Sequence, residues 1–376
     1  MSELASYSIQ AIFFALVAIV VVSRSKKTDL YQFALISIWL IGVIAIYAYY
    51  GENQVLFYSN DQLFHQEIIE YYLTVEGIQV REIISLRYLL TVPVYFISLI
   101  GFNAMLIIKF LQLSALLLVY NRSKKFLSTH FLVMRFWQLP LVAGPIMIFM
   151  SLLALRDMML AYFALLFVTS GDRNSRILGL SGAFLLRTHL GAALAIGMIL
   201  SSLYSRWRPK FQSIVFSGVA LFSYGIGTIS YWIGAVIQKG VSFDTPRTVF
   251  SQFKFSQLAA NFFGLQFLAL NDPDSRIVDA STLALLLSRL VFFDTLLIPI
   301  LFLIAMFRHP EFLSKQKVLT LYAFMFFYGV VSQTSFNSTR QNIPFLACMG
   351  VLAVADIEHF RKIKAKVAPK LLMATR

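Results

Sequence analysis

The sequence predicts an all-α fold: a polytopic transmembrane helical bundle of about eleven spans (10–12), with interfacial helices in the first long outer loop. Three observations predict it. Of 376 residues, 59% are hydrophobic and only 13% charged, against roughly 45–50% and about 25% in soluble domains. The apolar residues come in blocks of about 15–25, the length that crosses roughly 30 Å of hydrocarbon. The net charge of +14 sits largely in short loops between those blocks, which reads as topology and not as nucleic-acid binding.

The blocks follow in order. The first runs from about Tyr7 to Val22 and ends at Arg24, Lys26 and Lys27. The second, about Leu30 to Tyr50, leads into a mixed stretch over 51–102. Within that stretch Tyr88–Ile100 is expected to hug the membrane without crossing. Further spans are expected over about Asn103–Tyr120, Thr129–Ile146 and Ala154–Ser170. Ile177–Tyr204, with Arg187 and His189 in its middle, reads as one long helix or a tight pair of short ones. Ile214–Ile237 is followed by a second outer segment over 238–282, then by spans over about Leu285–Met306, Val318–Gln333 and Asn342–Ile357. The basic tail covers 358–376, and the whole of 1–376 reads as a single integral membrane domain.

Charge resolves the ambiguous piece. If Ile177–Tyr204 makes two short spans and Tyr88–Ile100 does not cross, every Lys/Arg cluster falls on one side. That side is expected to be the cytoplasm, holding the C-terminus, with the N-terminus outside. No cleavable signal pattern is expected, because the positive cluster follows the first apolar block. Cys348 is the lone cysteine, so no disulfide within the chain and no cysteine-based metal site can form.

Twenty of the 32 Lys and Arg lie in the clusters on that side, and twelve do not. Charges at depth are costly and are kept where they pair or work. Asp61 and His65 are four apart in the first outer segment and share a face on a helix. Asp61 suits a general base and His65 an orienting or shuttling role; the plainer reading is a solvated amphipathic helix with an Asp N-cap. The pair is too thin for a full metal site, so no metal site and no cofactor are assigned, a divalent metal remaining the lesser option. Arg156-Asp157 follows Gly144-Pro145 at the expected outer end of a span. It forms a local ion pair or presents a guanidinium to phosphate oxygens. Arg187 and His189 would tip the short hairpin, with Arg187 facing a water-filled cavity, snorkelling, or pairing with Asp157 or Asp294. Arg340 opens the last span. Several Arg with a few carboxylates on one outer face suit a lipid-linked phosphate and the activation of a hydroxyl.

These residues resemble the GT-C superfamily of membrane glycosyltransferases and the related bacterial O-antigen-type polysaccharide polymerases. The likeness rests on Ser59-Asn60-Asp61-Gln62, on Pro145 followed by Ser151 and Arg156-Asp157, on Leu185-Leu186-Arg187, and on Arg340-Gln341-Asn342-Ile343-Pro344. The chain departs from it in having no Asp-x-Asp or Glu-x-Asp pair in this loop, where Asn60 precedes Asp61. The resemblance implies transfer of a sugar or oligosaccharide from a polyprenyl-phosphate or -diphosphate donor, on the periplasmic face of a bacterial inner membrane. It implies Asp61 as base with His65 and Asp157 beside it, and Arg156, Arg187, His189 and Arg340 on the donor phosphate. The expected partners are that donor and membrane lipid, and no nucleic acid. The alternative expectation is a flippase for a lipid-linked oligosaccharide.

Overall fold

The computed structural model describes residues 3–24, 29–51, 59–74, 91–206, 218–229, 282–331 and 342–374, and the secondary structure in them is entirely helical. Helices α1 (Glu3–Ser23) and α2 (Leu30–Tyr50) are apolar, 21 residues each, and pack on one another. At 1.5 Å per residue each is about 30 Å long, enough to cross the hydrocarbon. Asp29 caps α2. Its carboxylate accepts from the Gln32 N–H, and the Gln32 side chain accepts from the Asp29 N–H, which satisfies two backbone donors that a helix start leaves open.

Helix α3 (Ser59–Thr74) docks Tyr72 edge-on against Tyr95 of α4 (Thr91–Ser98). The eight residues of α4 rise only about 12 Å and cannot cross. Asn103 caps α5 (Ala104–Thr129) by accepting from the Leu106 N–H. The next leg departs from the span expected over Thr129–Ile146. Residue 129 still belongs to α5, and the leg runs later, through a short 3-10 turn (Phe136–Gln138), α6 (Leu139–Ala143) and α7 (Pro145–Ser151). It breaks at Gly144 because Pro145 has no N–H to continue a helix. A Cβ on Gly144 would collide with the Pro140 carbonyl and the Asp294 carboxylate.

Helices α8 (Asp157–Thr169), α9 (Arg173–Leu186) and α10 (Thr188–Arg206) follow. The expected pair of short helices in place of one long span is present, with the break at Arg187. Arg176 and Met198, each eleven residues from Arg187, line one small cavity with Phe167 and Lys315. The two arms therefore fold back on each other as a hairpin, and Gly191 leaves room for the Phe184 ring at its bend. Helix α11 (Gly218–Ile229) precedes α12 (Thr282–Arg308), α13 (Ser314–Val331) and α14 (Ile343–Ala374). The second expected outer segment, 238–282, lies outside the described residues apart from its last residue, Thr282, which opens α12.

Helix α8 is the axis. It packs against α5, α9 and α14, and ten of its 13 residues are buried. Nearly all the buried apolar residues from α1 to α14 join one core cluster. Among the described residues α1, α2, α5 and α14 are long and apolar enough to cross a membrane, with α8, α10 and α11 apolar but shorter. This is the build of a multi-pass membrane protein.

One end of the bundle is held by a belt of charged contacts. Asp29 accepts from Lys124 and from the Tyr120 hydroxyl. Arg122 donates to Thr169 and Ser170, and Arg176 to the Ser170 carbonyl. Lys317 is 1% exposed and donates to Asp356 at 2.8 Å and to the Ala305 and His309 carbonyls at 2.6 and 3.0 Å. It thus neutralises Asp356 while closing the C-terminal carbonyls of α12. Glu358 takes Gln138, Arg135 and Arg361. Arg135 lies inside the span expected over Thr129–Ile146; the later course of the α6–α7 leg puts it at this basic end instead.

Two predictions follow from the belt. Replacing Lys317 by Met strands the Asp356 carboxylate in the interior, so it lowers stability by about 3–5 kcal/mol. The double variant K317M/D356L recovers most of that loss, read as thermal midpoints in nanodiscs. Asp29 is partly buried, which raises its pKa, but the hydrogen bonds from Lys124 and Tyr120 outweigh this and hold it below the ordinary carboxylate value. Its contribution is therefore present at neutral pH and lost as pH falls below about 4. Acidification should lower the midpoint of the native protein more than that of Asp29→Asn.

Candidate functional site

Two hairpins meet at half depth. The α6–α7 and α8 legs form the first, with residues 152–156 at its apex. The indole N–H of Trp39 donates to the Ser151 carbonyl at 3.1 Å, and Trp39 is only the tenth residue of α2 counted from the basic end. The apex therefore reaches about the middle of α2. Gln112 of α5 accepts from the Met158 N–H at 3.0 Å and closes the start of α8 at the same level.

The second hairpin rises to the same height. Helices α8 and α9 have 13 and 14 residues and are joined by Ser170–Asp172. The backbone of Phe163 and Phe167 on α8 lies against Gly179 on α9, and the Phe163 ring against Gly182. An antiparallel pair of nearly equal length brings its far ends together. Asp157, at the start of α8, is thus level with Arg187, at the end of α9. Both legs are about 20 Å long, short of the roughly 30 Å hydrocarbon. Non-helical backbone at such depth is tolerated only where protein covers it or it lines an aqueous cavity.

The chemistry at this level is mixed. Asp157 is 1% exposed, while Arg156 and Arg187 are half-buried. Each of the three engages another group. Arg187 is extended, at φ −157° and ψ 99°; its N–H donates to the Ala183 carbonyl and its own carbonyl accepts from Leu190. It therefore ends α9 and precedes α10 with no loop between. The starts of α8 and α10 both sit here, and helix starts carry partial positive charge. Two guanidiniums beside two helix N-termini suit an anion with several oxygens. His189 is exposed in the first turn of α10.

Asp294, one expected partner for Arg187, is engaged at the Gly144 break. It accepts from the Ile146 N–H at 3.0 Å, while the Tyr31 hydroxyl donates to the Ala143 carbonyl at 2.7 Å. Between them they close both sides of the broken helix. Asp61 and His65 lie on α3, and their side chains fall outside the described residues; Arg340 lies wholly outside them. The structure therefore brings Arg156, Asp157, Arg187 and His189 to one level, with Arg156-Asp157 opening α8 at its end away from the basic belt, and that level meets α2 near its middle. Among the described residues no group of His, Cys, Asp or Glu has the make-up of a metal site.

Two residues were not singled out from sequence. Lys109, 4% exposed, points at the Tyr7 hydroxyl at 3.5 Å, and the Tyr7 ring stacks on Tyr47 at 3.9 Å. Gln112, one turn along, has its Nε2 buried without a hydrogen-bond partner among the described residues. A lysine inside an apolar block was the available signal for the first. Nothing local distinguishes Gln112 from an ordinary helix residue.

Gln112→Leu removes the acceptor at the start of α8, and Trp39→Phe removes the donor at the end of α7. Each should cost about 1–3 kcal/mol, the penalty for an unpaired buried group. Unchanged thermal midpoints would contradict the claim that these two side chains hold the apex. No protein-family model matches the chain, and neither a curated protein nor a solved structure shows significant similarity to it.

Proposed function

We propose that this protein is a membrane glycosyltransferase or polymerase, with about eleven crossings, its N-terminus outside and its C-terminus in the cytoplasm. It transfers a sugar or oligosaccharide from a polyprenyl-phosphate or -diphosphate carrier to an acceptor on the periplasmic face of a bacterial inner membrane. The observation that carries the reading is the pair of short hairpins, whose apices set Arg156, Asp157 and Arg187 at half depth. A lipid-linked phosphate sits at the headgroup level with its tail in hydrocarbon. A bundle whose inner legs stop short of the outer surface leaves room for such a headgroup, lined by cations and by two helix starts.

The chemistry balances with these groups alone. An acceptor hydroxyl oxygen attacks the anomeric carbon as the bond from that carbon to the phosphate oxygen breaks. The bonding pair leaves with the phosphate, where Arg156, Arg187 and Arg340 stabilise the growing charge. The hydroxyl proton passes to a carboxylate, Asp61 in this reading, with His65 orienting it and Asp157 ordering the guanidiniums. His189 stands at the rim against the phosphate. A flippase would need a polar route across the whole bundle. Below the apices α8 is instead filled by Leu160, Ala161, Ala164 and Leu165, each fully buried, which favours transfer over passage.

The test is consumption of a polyprenyl-diphosphate-linked sugar by the purified protein in nanodiscs. Arg187→Ala should lower turnover about 10²-fold, the usual loss when one donor to a developing oxyanion is removed. Asp61→Asn should abolish product with folding intact. A donor left untouched by the native protein under all acceptor conditions would refute the reading.

A further inference from the structure

A second cleft lies away from the hairpin apices, at the end of the bundle opposite the basic belt. It encloses about 350 Å³ between α3, the start of α1 and the turn leading into α5. Gln10, Gln66, Glu70, Ser98 and Asn103 line it, with Phe102 and Leu73 as apolar walls. Two of the amides are set by the fold. Gln10 accepts from the Asn103 N–H at 2.8 Å and donates to the Gly101 carbonyl at 3.5 Å. Gln66 donates to Glu70 at 2.7 Å. The Gln66 Oε1 is buried and has no hydrogen-bond partner among the described residues.

The lining excludes as much as it offers. Among the described residues it contains no lysine, arginine or histidine, and Glu70 repels a phosphate. Its groups are two-sided amides, a hydroxyl and one carboxylate, which match ligands carrying many neutral hydroxyls. The volume suits one or two sugar rings. We infer that this cleft binds a neutral saccharide through Gln10, Gln66, Glu70 and Asn103. The inference deepens the transferase reading by naming an acceptor-side subsite separate from the phosphate level, but binding here does not require that transfer occur.

Saturation-transfer NMR on the full chain in phosphatidylcholine nanodiscs tests it, with chitobiose and maltotriose as probes and glycerophosphoethanolamine as the headgroup control. The native protein should bind at least one saccharide, with dissociation constants in the millimolar range and no binding of the control. Leu73 is 44% exposed, so Leu73→Trp fills the cleft without disturbing the core and should weaken binding at least tenfold. Glu70→Ala, at an exposed position, should weaken it about fivefold. Arg187→Ala should leave saccharide binding unchanged, which separates this site from the failure or success of the transfer assay. Absence of saccharide binding, equal binding by Leu73→Trp, or preference for the headgroup control would each overturn the proposal.

Discussion

Every interruption of a helix inside hydrocarbon exposes backbone groups that water cannot reach, and this bundle depends on how those groups are closed. Three interruptions lie in its described core. At Gly144, Asp294 takes the Ile146 N–H and Tyr31 covers the Ala143 carbonyl. At residues 152–156, Trp39 takes the last carbonyl of α7 and Gln112 the Met158 N–H. At Arg187 the chain closes the break itself through Ala183 and Leu190. All four side chains that do this work come from α2, α5 and α12, helices distant in sequence from the breaks they seal. Short legs can therefore stop at half depth, and charged residues can be carried there.

The basic end obeys the same constraint in another form. Lys317 ends α12 by binding its carbonyls and pairs with Asp356 on α14. Arg122 ties α5 to the end of α8. Positive charge at this end is thus structural as well as topogenic: the same ammonium and guanidinium groups that mark a membrane side also satisfy helix C-termini. The two half-depth arginines differ in part: both stand beside helix starts, which favour an anion, although Arg187 also ends α9, whose carbonyl end favours a cation.

Much of this was legible from sequence because hydropathy and charge are additive along the chain. The long helices α1, α2, α5 and α14 follow from apolar length, the short hairpin at Arg187 from the need to keep Lys/Arg clusters on one side, and the non-crossing α4 from the same count. The α6–α7 leg was misplaced because Thr129–Ile146 is largely apolar despite His130, Arg135 and Gln138, and hydropathy does not register that Phe131, Val133 and Phe136 remain exposed, at 76–84%, in and around a loop. The level of Arg156-Asp157 against α2 and α5 was illegible because it depends on Trp39 and Gln112.

The sequence by itself determined that the chain is helical, crosses a membrane many times, and keeps its basic clusters together, since these depend on the transfer free energy of each segment taken alone. Only the tertiary structure decided which apolar blocks stop short, that Asp157 and Arg187 share a level, and that a cleft lined by amides and one carboxylate opens beside α3. Those features depend on which side chain of one helix reaches the broken backbone of another, and that pairing is a property of packing that no single segment contains.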